Sequence, residues 1–328
     1  MIEVIAPGPL LTVQDLGRPG ARRYGVPQGG AMDAFALAAA NRLVGNEPGA
    51  AGLELTAGGV ELAFTRPALL ALAGADLGAT LGGRPLPLWR ATIADAGARL
   101  RLTGRRGSWG ARAYLAVAGG IGVPLVLGSR ATELGTGFGG LEGRRLAPGD
   151  RLPVGPASHS LTPPFGGRWP EALRPAYGSA PTLRLIPGPH TDCFAPDALQ
   201  ALTTTTLRVG QAANRMGYRL EGLRLEHARP CSLPSLGVIP GVLQVPPDGA
   251  PILLMADAQT TGGYPVIGTV IAADLPLAAQ LLPGDELRFA RTDLATALQA
   301  RRALAAALTH RPEADEGELL AALAGAIE

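Results

Sequence analysis

The stretch DAQTTGGYP, residues 257–265, sets an acid, an amide, two hydroxyls, two glycines and a phenol between two apolar runs. A hairpin closes with about two to five residues, of which one or two need special chemistry. The Gln259 amide, the Thr260 and Thr261 hydroxyls and the N–H groups of Gly262 and Gly263 together exceed that need. Donors fixed at one point are what a site requires to steady negative charge developing on an amide or carboxyl oxygen. Arg215, in ANRMGYRLEG, would add a permanent positive charge. Gln244 projects from an alternating run, VLQV, and Asp257 ends the run ILLMA. Arg215, Gln244, Asp257, Thr260 and Tyr264 are the candidate catalytic residues. Asp248, Asp257 and Asp274 are candidate bases by proximity in sequence alone. On this reading Thr260→Val and Arg215→Ala should lower turnover and leave the melting temperature nearly unchanged. The competing reading is that Thr-Thr-Gly-Gly only closes a hairpin.

Two earlier stretches have the same loop character. In TVQDLGRPGARRYGVPQGGAMD, Asp15 and Arg18 could line a cleft while the glycines let backbone approach a ligand. In LGSRATELGTGFGG, Ser129 and Arg130 could clamp an anion through hydroxyl and guanidinium. The candidate substrate-binding set is Asp15, Arg18, Ser129, Arg130, Asn214, Gln259, Thr261, Gly262 and Gly263. The glycine spacing does not follow a strand and open a helix, so it is no dinucleotide fingerprint. His159, His190, His227 and His310 lack zinc-type spacing, and no metal is expected. A G-x-S-x-G elbow is absent.

Composition narrows the chemistry further. The 328 residues contain no lysine, so all 29 basic residues are arginine. A P-loop lysine, a Schiff base and a biotinyl-lysine are excluded within these residues. A phosphate or carboxylate must be met by Arg, backbone N–H groups or a metal. The net charge of +2 is scattered and aromatics are 4%, which argues against a nucleic-acid partner. With 47% hydrophobic and 17% charged residues the chain can bury a substantial core. Cys193 and Cys231 suit two reduced thiols, with neither a disulfide framework nor metal spacing. MIEVIAPGPL does not read as a signal peptide, and no apolar run is long enough to span a bilayer. A cytoplasmic protein without membrane contact is expected.

Positioning these residues requires many short strands. VELAF, ALLALAG, RLRLTG, TLRLIPG and GVLQV are apolar or alternating, and turn residues bound each of them. Helix signals are few. AMDAFALAAANRLVGN can be capped by Asp33, with Phe35, Ala36, Ala39, Ala40 and Leu43 on one side and Gly45-Asn46 at its end. APDALQAL is shorter, and the tail segments DLATALQARRALAAAL and EADEGELLAALAGAI are amphipathic. APGDRLPV (147–154) and LPGDELRF (282–289) repeat a Pro-Gly-Asp turn before a strand. The reading is two mostly-β domains, 1–155 and 180–292, joined by a Pro/Gly/Ser-rich linker over 156–179 and followed by a helical tail over 293–328.

TVQDLGRPG…GVPQGGAMD, LGSRATELGTGFGG…GRRLAPGD, NRMGYRLEG and IPGVLQVPPDGAPILLMADAQTTGGYPVIGTV, in this order, resemble one family. It comprises carboxyltransferase-like proteins, including allophanate hydrolase subunit 2, urea amidolyase-related proteins and the C component of the bacterial ATP-dependent 5-oxoprolinase. The resemblance implies a mainly β fold of two cyclophilin-like β-barrels related by pseudo-symmetry. It implies a smaller partner subunit from the same operon, similar to allophanate hydrolase subunit 1, and a lactam-utilisation subunit. It implies ATP, shared with the partner, activating the lactam of 5-oxoproline for opening to glutamate. Alternatives within the family are carboxyl transfer to urea or allophanate, with biotin carried by another chain, and regulatory binding that antagonises a histidine-kinase inhibitor. The chain departs from the family pattern at Gly29, Ala213, Leu236 and Val266, where Ser, Ser, Glu and Lys are frequent.

Overall fold

The computed structural model describes residues 1–156, 167–229, 231 and 233–312. The chain forms two compact units. The first holds Met1–Gly17, Asp33–Arg174 and the described residues from Ala306 on; the second holds Arg18–Met32 and Pro175–Ala305. The architecture is mainly β, with four α-helices among the described residues.

In the first unit, Arg151–Leu152, Ile2–Pro7, Val60–Phe64, Arg99–Leu102, Ala79–Leu81 and Arg84–Pro85 make one sheet, in that order. Leu10–Gln14, Gly52–Thr56, Arg112–Val117, Ala68–Gly74 and Ala91–Ala94 make a second. Their inward side chains, among them Ile2, Leu11, Leu53, Leu62, Leu72, Leu100 and Leu115, form one core. Every second residue of a strand faces the same way, so RLRL buries Leu100 and Leu102 and exposes Arg99 and Arg101.

Helix α1, Ala34–Leu43, starts where the sequence predicts. Asp33 accepts a hydrogen bond from the Ala36 N–H at 2.9 Å. The expected stripe of Phe35, Ala36, Ala39, Ala40 and Leu43 is buried. Leu37, Ala38 and Asn41 are buried as well, so α1 is enclosed around most of its circumference. Its small alanines let the neighbouring strands Ala68–Gly74 and Arg112–Val117 approach closely. Tyr114 ties the helix start to the sheet, accepting from the Asp33 N–H and donating to Glu54, each at 2.8 Å.

Part of the stretch expected to be a linker packs into this unit. Trp169 is buried edge-on to Phe35, and its backbone N–H donates to the Trp89 carbonyl. Residues 157–166, earlier in that stretch, lie outside the described residues.

The second unit closes into a barrel. Its strands run Thr182–Pro187, Val266–Val270, Val242–Gln244, Ile252–Leu254, Gly217–Glu221, Leu207–Val209 and Glu286–Arg291. The ring is sealed by a parallel pairing of Thr182–Pro187 with Glu286–Arg291. Leu183, Tyr218, Leu243, Leu253, Ile267 and Phe289 fill it. Gln244 is buried along with Val242 and Leu243, so VLQV does not alternate as expected.

The two Pro-Gly-Asp turns are equivalent in detail. Asp150 accepts from the Ala147 N–H at 2.7 Å, and Asp285 accepts from the Leu282 N–H at 2.8 Å. Gly149 and Gly284 both sit at positive φ, 87° and 89°, as the sharp entry into the following strand requires.

Helix α2 spans Ala198–Thr204 and α3 spans Leu275–Ala278. Helix α4, Leu294–Ala307, forms as expected but buries no residue, and Leu294 and Leu298 of its apolar stripe are exposed. The second predicted tail segment lies outside the described residues. Among the described residues no helix is long and apolar enough to cross a membrane.

The two cysteines are not free thiols. Cys193 and Cys231 form a disulfide with Cα atoms 6.0 Å apart. Backbone pairing brings them together: the Ala228 N–H donates to Cys193 O and the Ala195 N–H to Glu226 O. A separation of 38 residues gives no sign of this contact in the sequence.

Candidate functional site

The second unit gathers most of the candidate residues. Arg215 sits in the turn before Gly217–Glu221, and Asp257 follows Ile252–Leu254. Their strands are neighbours, and the Asp257 N–H donates to Arg215 O at 2.9 Å. The side chains then meet twice, Nε to Oδ2 at 2.8 Å and Nη2 to Oδ1 at 2.9 Å. Arg215 Nη2 also donates to Gly30 O at 2.5 Å. Both side chains are buried, 4% and 5% exposed. The expectation that Arg215→Ala would leave stability unchanged therefore does not hold, because that change strands a buried carboxylate.

Gly29 and Gly30 carry the backbone past this pair at φ of 63° and 89°. A Cβ at Gly29 would lie 3.5 Å from Asp257 Oδ1 and 3.6 Å from Arg18 Nη1. Arg18, fully buried, thus stands beside the same turn. The Gly-Gly pair lets backbone lie against a cluster of charged side chains. Asn214 is exposed and shapes the turn, its Oδ1 accepting from the Met216 N–H at 2.8 Å.

The loop after Asp257 is held from several directions. Gln259 Nε2 donates to Gln244 Oε1 at 3.2 Å, and Gln244 Nε2 reaches Tyr264 O at 3.5 Å. Thr261–Gly262 pairs with Leu236–Gly237 in a two-stranded ribbon, and the Val238 N–H donates to Thr260 O. Arg22 adds a clamp that residue type and spacing do not single out. Its Nη2 donates to Gln259 O at 3.1 Å and Thr260 O at 3.3 Å. Burial lowers the Arg22 pKa, and among the described residues no carboxylate pairs with it. Its one signal in the sequence is membership of the glycine-rich stretch over 12–33. The Thr260 and Thr261 hydroxyls make no hydrogen bond among the described residues, and Thr261 is exposed. Gly263 and Tyr264 line a cavity of about 680 Å³.

The three acids named as candidate bases are all held by arginines. Asp257 has Arg215, Asp274 has Arg184 at 2.6 Å, and Asp248 has Arg219. The departures at Leu236 and Val266 fall in different settings. Leu236 is exposed on the ribbon, whereas Val266 is buried in the barrel wall.

The first unit holds a separate set. Asp15 Oδ1 accepts from Ser129 Oγ at 2.6 Å and the Gly17 N–H at 2.7 Å, and Oδ2 accepts from the Arg130 N–H at 2.6 Å. The Arg130 side chain turns to Val123 O at 2.8 Å. The Ser129 hydroxyl and the Arg130 backbone N–H hold the chain's own Asp15 carboxylate, and the Arg130 guanidinium, expected to take part in an anion clamp, bonds a carbonyl instead. Asp15 belongs to the first unit and Arg18 to the second. Among the described residues no cluster of three His, Cys, Asp or Glu is placed to hold a metal.

Known proteins carry the same arrangement of sequence. The chain is 42% identical over 302 residues to the C component of 5-oxoprolinase from Escherichia coli, covering 92% of this chain and 94% of that protein. It is 37% identical to the C component of 5-oxoprolinase from Haemophilus influenzae, with the same coverage, 92% and 94%. The crystal structure of Kluyveromyces lactis urea amidolyase superposes with a TM-score of 0.88 at 30% identity, over 95% of this chain and 20% of that one. Residues 24–291 match the model of the carboxyltransferase domain, subdomain A and B. The chain therefore belongs to the carboxyltransferase domain family, subdomains A and B.

Proposed function

We propose that this chain is the C component of an ATP-dependent 5-oxoprolinase, working with a smaller partner subunit and a lactam-utilisation subunit. The observation that carries the reading is the 42% identity to the Escherichia coli protein along 94% of its length. The urea amidolyase relatives are matched over a fifth or less of their length.

The geometry is compatible with that chemistry. Opening a lactam requires charge to develop on its carbonyl oxygen, so donors must be fixed beforehand rather than recruited during the reaction. Gln244, Gln259 and Arg22 immobilise the loop over 257–264 through hydrogen bonds to one another and to its carbonyls. The Thr260 and Thr261 hydroxyls remain uncommitted among the described residues. ATP would supply the phosphoryl group that activates the lactam oxygen. Arginine is the only permanently charged basic side chain here for meeting its phosphates.

Carboxyl transfer to urea is the second reading, favoured by the shared fold at a TM-score of 0.88. It needs biotin carried outside these 328 residues, because none of them is a lysine.

The test is co-expression with the two candidate partners and an assay of ATP-dependent glutamate release from 5-oxoproline. Release above background is expected, and Thr260→Val should reduce it by about 10²–10³. No release from three folded subunits, with carboxyl transfer to urea instead when a biotin carboxylase and a biotinylated carrier are added with ATP and bicarbonate, would transfer the assignment to the second reading.

A further inference from the structure

A tight hairpin in the first unit carries a leucine where turn chemistry disfavours one. Val126 and Ser129 exchange both backbone hydrogen bonds, at 2.8 and 3.2 Å, around a loop of two residues, Leu127 and Gly128. Both loop residues take positive φ, 52° and 78°, which is the type I′ pattern. That turn prefers Asn-Gly or Asp-Gly, because a larger L side chain crowds its own backbone in the left-handed region. Gly128 meets this demand, and Leu127 does not.

Nothing within the chain offsets the strain at Leu127. Trp89 also has a positive φ, 58°, but its ring is buried and lies against Phe35. Leu127 is 59% exposed, and Leu125 beside it is 56% exposed. The base of the hairpin is firm. Ser129 Oγ and the Arg130 N–H hold the Asp15 carboxylate, and Arg130 Nε donates to Val123 O on the incoming stem. The Thr132 N–H donates to Val13 O, at the strand that leads to Asp15. Leu16, next to Asp15, and Leu134, two residues beyond Thr132, are exposed as well. Hydrogen bonds thus tie together the segments that bear four exposed leucines. Exposed apolar groupings of this kind mark protein interfaces, and an anchor already held in place avoids the ordering cost of binding.

The shape bears on the occupant. Tip against tip across a two-fold axis would bury little. A tip seated elsewhere on a second copy is a head-to-tail contact, which yields rings or open filaments rather than a defined pair. The fitting occupant is a different chain that offers an apolar pocket, and none of the four leucines asks for a charge in return. We propose that Leu127, flanked by Leu16, Leu125 and Leu134, is the anchor by which this chain docks into an apolar pocket of the smaller partner subunit. Naming that subunit as the occupant rests on the proposed function.

Titration of the full chain with the purified smaller subunit tests the assignment. Leu127→Asn suits the turn better than leucine does, so the melting temperature should stay at or slightly above that of the parent. Affinity for the smaller subunit should nevertheless fall by about tenfold or more, as expected for a buried anchor, and Leu125→Ser should weaken it by less. Unchanged affinity in Leu127→Asn overturns the proposal, as does a parent that does not bind the smaller subunit. A melting temperature lowered by more than a few degrees also overturns it, since the leucine would then belong to the chain's own packing. Self-association of the parent that Leu127→Asn abolishes gives the tip to a second copy and has the same consequence. Docking that Leu127→Asn weakens, in an assembly that releases no glutamate from 5-oxoproline, supports the docking surface and removes the proposed function. Glutamate release by an assembly whose affinity is indifferent to Leu127→Asn does the reverse.

Discussion

Arg215 and Asp257 meet in a bidentate ion pair, at 2.8 and 2.9 Å, from which water is almost excluded. The pair holds the turn before one barrel strand to the end of its neighbour and fixes the Gly30 carbonyl. Removing one partner leaves the other charge buried and uncompensated. Arg215→Ala should lower unfolding free energy by about 3–5 kcal/mol, measured by urea denaturation. Replacing both by apolar residues, Arg215→Met with Asp257→Leu, should recover much of that loss. A single variant as stable as the parent would mean that the pair is solvated.

Gly262 and Gln244 are coupled by space. A Cβ at Gly262 would come within 2.6 Å of Gln244 Nε2. Gly262→Ala should push the Gln244 amide away from Tyr264 O and Gln259. In a double-mutant cycle with Gln244→Ala, the stability effects should be non-additive by about 0.5–3 kcal/mol. Simple additivity would show that the amide had room to move.

The disulfide closes a loop of 38 residues in sequence separation. Chain-entropy reasoning gives such a closure about 4 kcal/mol of stabilisation. Cys231→Ser should lower the melting temperature accordingly. A dithiol reductant should bring the parent down to the level of the variant and leave the variant unchanged. A parent insensitive to reductant would contradict the bond.

Asp150 reports on acid stability. Hydrogen bonding from the Arg144 guanidinium, at 2.7 and 2.9 Å, holds its carboxyl below the ordinary aspartate range, against an opposing effect of burial. Because the folded-state pKa is depressed, the native protein binds fewer protons than the unfolded chain between the two values. The contribution is complete above the unfolded value of about 4 and disappears as pH falls through the folded value. Asp150→Asn should therefore be less stable than the parent at pH 6, and the gap should narrow below about pH 4. An unchanged gap in acid would remove Arg144 as the cause.

Much of the scaffold was legible because its determinants are local. Alternation in RLRL, the Asp33 cap and the two Pro-Gly-Asp turns each depend on a few adjacent residues, and each appears where the sequence predicts. The enclosure of α1 and the burial of Gln244 were not legible, since what covers an element is supplied from elsewhere in the chain.

The site divides along the same line. Residue types and spacing alone determined that the loop over 257–264 is rich in donors, that every permanently charged basic side chain is an arginine, and that the chain is a series of short strands. Tertiary structure decided the partners. Ser129 meets Asp15 across 114 residues, Arg215 meets Asp257 across 42, and Arg22 reaches Gln259 across 237. Period and turn chemistry act over a few bonds. Which distant charge neutralises which, and which cysteine meets which, is set by barrel closure and loop packing, where burial makes an unpaired polar group costly and leaves few arrangements that satisfy them all.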